Sequence, residues 1–82
     1  MNNKNIRSLS DLRPGETAAV LFLTDPAHDL AERLTDLGLT AGSAVTCTMK
    51  SPLGDPCAYL IRGAVIALRR ADASIVAVGE VL

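Results

Sequence analysis

Aromatic residues are almost missing from this chain: one Tyr, one Phe and no Trp in 82 residues. A surface that binds single-stranded nucleic acid stacks bases on a row of rings, so the missing platform argues against that class. Positive charge is not in excess either. Eight Lys and Arg face nine Asp and Glu, a formal net charge of -1, whereas a duplex binder concentrates cations against phosphate. No nucleic-acid partner is expected. Histidine is limited to His28, and hydrolytic or transfer chemistry needs a nucleophile, a base and an orienting group together. Near the start of the expected helix, His28 reads as a solvated residue. Glu32 and Asp36, one turn apart on that helix, read as a wet face. Neither makes an enzyme.

Long apolar runs are absent as well. Stretches such as Ala18 to Leu23 fall far short of the roughly 20 residues that span a bilayer. The opening Met1 to Asn5 is polar and lacks the apolar stretch of a secretion signal. The expected location is therefore the cytoplasm, with no direct membrane insertion. The two cysteines, Cys47 and Cys57, then read first as small buried hydrophobes.

What is present is aliphatic. Apolar residues make up 49% of the chain, enough for one core of Leu, Val, Ile and Ala and too little for two. A single domain over 1–82 is expected, with its core over 8–79 and a flexible 1–7. Within Ser8-Leu9-Ser10-Asp11-Leu12, Leu9 and Leu12 stand at i, i+3 and predict one helical turn. Arg13-Pro14-Gly15-Glu16 has the chemistry of a type II turn, Pro second and Gly third, before a strand over 16–23. Asp25 as cap, Pro26 at the first helical position and a stripe of Ala27, Leu30, Leu34 and Leu37 predict a helix. Asp29 and Arg33 fall at i, i+4 on its wet side. Gly38 should end it, with Leu39 folding back onto Leu34.

After the turn Thr40-Ala41-Gly42-Ser43 the period becomes two. Val45, Cys47 and Met49 alternate with polar residues as the inner face of a strand. Pro52-Leu53-Gly54-Asp55-Pro56 reads as a hairpin loop, returning along Cys57 to Arg62 with Tyr59 and Ile61 inward. Gly63 turns the chain into 65–69, and Ile75 to Val78 forms the last strand. The fold class is mainly β: about five short antiparallel strands, a helix between the first and second, best matched by a small SH3-like barrel. A groove for polyproline peptides would need aromatic walls, which Phe22 and an inward Tyr59 do not build.

The string Arg33-Leu34, Leu37-Gly38-Leu39, Gly42, Pro52-Leu53-Gly54-Asp55-Pro56, Arg62-Gly63, Ala67-Leu68-Arg69 and Ile75 to Val78 resembles the FeoA family. The opening Leu9-Ser10-Asp11-Leu12-Arg13-Pro14-Gly15-Glu16 resembles its start, so the likeness spans 9–78. One departure is Ala41, where relatives often carry Pro; the turn should survive in a chain that is looser when unfolded. The resemblance implies an SH3-like barrel and a cytoplasmic, non-enzymatic accessory protein of bacterial ferrous iron uptake. That protein would bind FeoB, the membrane transporter with a GTPase domain, at the inner face of the membrane, and modulate transport or GTP turnover. No catalytic residue and no cofactor come with it. A related SH3-like domain ends iron-dependent repressors, but no winged-helix segment accompanies it here.

The candidate partner-binding residues are Leu53, Gly54, Asp55, Leu60, Arg62 and Arg69. Two prolines stiffen the loop that presents Leu53, which lowers the entropy lost on binding. Leu60 faces away from Tyr59 and Ile61, and with Leu53 would make a modest apolar patch. Arg62 and Arg69, at strand ends on either side of Gly63, suit carboxylates on a partner; an arginine finger for the GTPase is a weaker reading. The alternative function is a small metal-binding or metal-responsive protein. If Ser51 pairs with Cys57 and Cys47 with Ile61, the sulfurs lie four rows apart, roughly 13 Å, beyond a shared ligand set or disulfide. Iron or zinc would then need an intermolecular site built from Cys57 and the His28 of another copy, making a homo-oligomer.

Overall fold

The computed structural model describes residues 6–25, 27 and 29–82. Pro26 and His28, and with them the expected proline at the helix start and the histidine ligand, lie outside the described residues, as do 1–5. Six strands run in chain order: β1 (Arg7–Ser8), β2 (Thr17–Leu23), β3 (Ala44–Lys50), β4 (Cys57–Ile61), β5 (Ala64–Leu68) and β6 (Val76–Val81). The helices are α1 (Ala31–Asp36) and α2 (Arg70–Ala73), with a 3-10 turn over Leu9–Asp11. All strands belong to one antiparallel sheet in the order β1-β6-β2-β3-β4-β5. One strand more than expected appears because a two-residue β1 pairs Arg7 with Val78 and Ser8 with Ala77.

The sheet wraps because its strands slip. β2 shifts register against β6 twice, between Ala18 and Val20 and between Val20 and Phe22, and β3 shifts against β4 between Cys47 and Met49. Each slip bends the ribbon and adds twist. The concave face then closes over Leu9, Leu12, Leu34 and Leu39, all at most 1% exposed, with Tyr59 and Ile61 opposite. Leu9 and Leu12 reach it from the 3-10 turn, as their spacing predicts. Ser8 starts that turn, its Oγ accepting from the Ser10 N–H at 3.1 Å while its own N–H donates to Asp11 Oδ2 at 3.2 Å. The turn at 13–16 forms as read, with Glu16 N–H donating to the Arg13 carbonyl at 2.9 Å.

The slip in β3 overturns two expectations. The extra residue carries Met49 to the outer face, where it is 63% exposed, since a one-residue shift reverses side-chain direction. The loop also closes one residue from the expected register, pairing Cys57 with Lys50 rather than Ser51, and the slip adds a second offset that pairs Cys47 with Tyr59 rather than Ile61. Cys57 thus stands two residues from the partner of Cys47, not four, and the sulfurs are closer than the expected 13 Å. Both cysteines are buried and free.

The helix is shorter than its apolar stripe suggests. It starts at Ala31 with Leu30 at its cap, without a side-chain cap. Ala27 is exposed, so an earlier turn would bury nothing to offset the cost of ordering it. Asp29 therefore precedes α1 and makes no ion pair with Arg33. The far end forms as expected: Gly38 (φ 107°) donates to the Thr35 carbonyl and Leu39 to the Leu34 carbonyl, both at 3.0 Å, the two bonds of a Schellman motif.

Gly38 also carries a steric constraint that the turn alone does not impose. A Cβ there would meet Arg62 Cδ at 2.7 Å and Ile61 Cγ2 at 3.1 Å, whereas at Gly42 (φ 89°) nothing lies within 4 Å. Gly42→Ala should cost the left-handed penalty alone, about 1–2 kcal/mol. Gly38→Ala should cost more, about 2–3 kcal/mol, because the Arg62 side chain must also move aside and Ile61 give way. Urea titration of the two variants checks the ranking.

Candidate partner-binding surface

The loop between β3 and β4 is held from within. Ser51 N–H donates to the Pro56 carbonyl at 3.2 Å and Gly54 N–H to the Ser51 carbonyl at 2.8 Å. The Cys57 thiol donates to the Gly54 carbonyl at 3.3 Å, and the Asp55–Pro56 peptide is cis. Asp55 Oδ1 accepts the Arg70 N–H at 2.8 Å, which ties the loop to α2. This carboxylate therefore has a structural task, and it is Arg70 that uses it rather than Arg62 or Arg69. With the loop fixed at both ends, Leu53 projects into solvent, 94% exposed. A side chain of that size displayed on a constrained loop loses little freedom when a partner covers it.

Leu60 is outward as expected, 38% exposed, but it does not join Leu53. It pairs across the sheet with Thr46 and Val65, several residues along β4 from the loop. Its apolar neighbours are Val65, 63% exposed, and Met49, which pairs with Ala58 on the same face. Two apolar features result: a single Leu at the loop tip, and a stripe of Met49, Leu60 and Val65 on the outer face. Val65 and Met49 were missed by sequence reasoning. The signal for Met49 was erased by the slip, while that for Val65 lay in its turn spacing from Leu60.

The arginines are placed apart. Arg62 (φ 50°) and Gly63 (φ 82°) form a two-residue turn between β4 and β5, with Ile61 opposite Ala64. Positive φ at both centres is the type I′ form that suits a tight hairpin. Arg62 is thus a turn residue, not a strand end, and its side chain lies over Gly38. Arg69 follows β5 at the other end, beside Arg33 and Asp72 at a groove between α1 and β5. The groove encloses about 440 Å³ and is floored by Leu30, Leu34, Leu37, Ile66 and Leu68. Periodicity had marked Leu30 and Leu37 for the core; Leu30 packs against it half-buried, Leu37 is exposed, and both line this cleft.

Cys47, Cys57 and Tyr59 sit together under the loop. Burial raises the Cys47 thiol above its ordinary value of 9.0, and the nearby Cys57 adds to the effect. Burial likewise holds the Tyr59 phenol above its ordinary 10.0, with Cys57 and Cys47 contributing. Both groups are kept neutral by the apolar core. A buried thiol with a raised pKa is a poor nucleophile and a poor metal ligand. Cys57 is 6% exposed, which leaves little of it for a ligand from another copy. Among the described residues, no group of three or more His, Cys, Asp or Glu is placed to hold a metal, and no helix is long and apolar enough to cross a membrane.

A small, bent, six-stranded antiparallel sheet with an aliphatic interior and few short helices defines an SH3-like domain. The FeoA domain matches residues 7–79, and the chain belongs to the FeoA family. Solved structures agree. The FeoA-like protein of Clostridium acetobutylicum is 26% identical, covering 96% of this chain and 90% of its own, with a TM-score of 0.85. FeoA of Stenotrophomonas maltophilia, solved with zinc and described as a prokaryotic SH3 domain protein, is 32% identical over 87% of each chain, with a TM-score of 0.78. FeoA of Chlorobium tepidum is 34% identical, covering 89% of this chain and 69% of its own, with a TM-score of 0.79. A manganese-dependent transcriptional repressor shares the fold at 19% identity and a TM-score of 0.81, over 36% of its length. No curated protein matches the chain.

The raised pKa values of Cys47 and Tyr59 predict the alkaline limit of stability. Each group loses its proton more easily once unfolded, so the fold is favoured fully below the unfolded pKa and progressively less as pH rises toward the folded one. Stability should be flat up to about pH 8.5, decline above about 9, and fall more steeply past about 10, at up to ~1.4 kcal/mol per pH unit for each group. Urea midpoints across this range check it, and Tyr59→Phe should remove the steeper part.

Proposed function

We propose that the chain is a non-enzymatic adaptor that binds the cytoplasmic portion of FeoB and modulates transport or its GTPase. Membership of the FeoA family implies a role in ferrous iron transport. The observation that carries the finer reading is Leu53, displayed almost fully exposed on a loop braced at both ends. An isolated apolar side chain held this way is costly to leave in water and cheap to bury in a partner. A membrane transporter offers its partner from the cytoplasmic side, so the chain would work there, at the inner face of the membrane.

The arrangement of side chains supports binding rather than chemistry. The arginine-finger version of the reading gains support from Arg62 lying on a turn, but its side chain rests against Gly38, which points it along the barrel rather than outward. The metal-linked alternative is weakened by the burial of both thiols.

Capture of the FeoB cytoplasmic domain by this chain, with Leu53→Asp beside it, tests the reading. The variant should lose at least about tenfold in affinity, as a hot-spot residue does, while its thermal midpoint stays at the wild-type value because the site is exposed. Capture should be unchanged by a chelator. Equal capture by wild type and variant would remove the loop from the interface.

A further inference from the structure

We propose that β5 is a docking edge for an extended, apolar segment of a partner protein flanked by acidic residues, which adds to the sheet as a seventh strand. This inference rests on the sheet edge and stands whether or not FeoB is the partner.

β5 ends the sheet, with β4 on one side and no strand on the other. The two-residue turn at Arg62–Gly63 sets which groups are free. In such a hairpin the flanking pair, Ile61 and Ala64, exchanges both hydrogen bonds, and every second pair after it does the same. Ala64, Ile66 and Leu68 therefore spend their main-chain groups on β4, while those of Val65 and Ala67 point away from it. Among the described residues, no hydrogen bond joins the main chain of Val65 or Ala67 to a loop or helix. Soluble proteins guard such an edge with Lys, Pro, a bulge or a covering element. The strand Ala64-Val65-Ile66-Ala67-Leu68 has none of the residues, its pairing with β4 is regular, and α1 stands off from it across the groove.

That groove supplies side-chain recognition. A strand laid beside β5 alternates its side chains between the two faces of the sheet. Those on the inner side enter the cleft floored by Leu30, Leu34, Leu37 and Ile66; those on the outer side extend the stripe of Leu60 and Val65. The apolar length matched is that of β5, five residues.

Charge selects the occupant. Arg62 precedes β5 and Arg69 and Arg70 follow it, and Arg33 stands on the groove rim. Among the described residues, Arg33, Arg62 and Arg69 make no ion pair. Asp72, the one carboxylate in the lining, has partners of its own. A second copy is thereby disfavoured. In the register that pairs the whole strand, Val65 of one copy meets Ala67 of the other, and each Arg62 then faces an Arg70 at both ends. Acidic residues flanking an apolar run meet the same cations favourably.

The probe is a capped synthetic peptide, Glu-Glu-Val-Thr-Val-Thr-Val-Glu-Glu, titrated into the ¹⁵N-labelled full chain by NMR. Shifts should concentrate on β5 and α1, and a Lys-flanked peptide should bind at least about tenfold more weakly. Ala67→Pro removes only an outward N–H, a position that edge strands tolerate, and should also cost at least about tenfold. Because that variant could disturb the hairpin, a peptide N-methylated at all five central residues, which blocks the ladder in either facing, is tested on the unaltered protein and should bind at least about tenfold more weakly than the parent. Absence of binding, shifts located elsewhere, equal affinity for the methylated peptide, or a dimer formed through β5 by the chain alone would each overturn the proposal.

Discussion

The structure depends on one constraint: a six-stranded ribbon must bend far enough to bury its inner face, using aliphatic side chains and a single Tyr. Nearly everything of consequence follows from how that bend is made. Register slips in β2 and β3 supply it, and the short α1 and the 3-10 turn close the open side with Leu34, Leu39, Leu9 and Leu12. Gly38 is the point where this closure is tightest, because the helix end and the β4–β5 turn meet there with Arg62 lying across the junction.

Among the described residues, no charged side chain is buried in the core. Two groups within it, Cys47 and Tyr59, are held neutral by burial. At the boundary the same bend leaves three features uncovered: the tip of the β3–β4 loop, the outer stripe of Met49, Leu60 and Val65, and the edge of β5. The groove beside β5 is lined by Leu30 and Leu37, the residues at the two ends of α1.

Much of the fold was legible in the sequence where local chemistry decides it. Gly at positions demanding positive φ and the i, i+3 leucines before the first long strand each specify one backbone state on their own. The β3 slip was not legible. Nothing in Val45-Thr46-Cys47-Thr48-Met49-Lys50 distinguishes a regular strand from a bulged one, since the slip is set by pairing with β4 and not by β3 itself. Met49 and the cysteine spacing were misjudged for that reason. The length of α1 was misread because an apolar stripe reports which residues share a face, not whether a neighbour is there to cover it. Of the site residues, Leu53 and Leu60 were found as exposed from loop stiffness and alternation. Asp55 proved to brace the loop through Arg70, a contact between residues fifteen apart that spacing does not reveal. The β5 edge depends on strand order, which no single segment encodes.

Native-state hydrogen exchange of the isolated chain measures the closure directly. The account predicts that the amides of Val45, Tyr59 and Ile61 exchange only through global unfolding, while those of Val65 and Ala67 exchange orders of magnitude faster through their open edge. Uniform protection across β4 and β5 would contradict it, since the edge would then be covered, and fast exchange at Tyr59 and Ile61 would mean that the sheet does not close over its core.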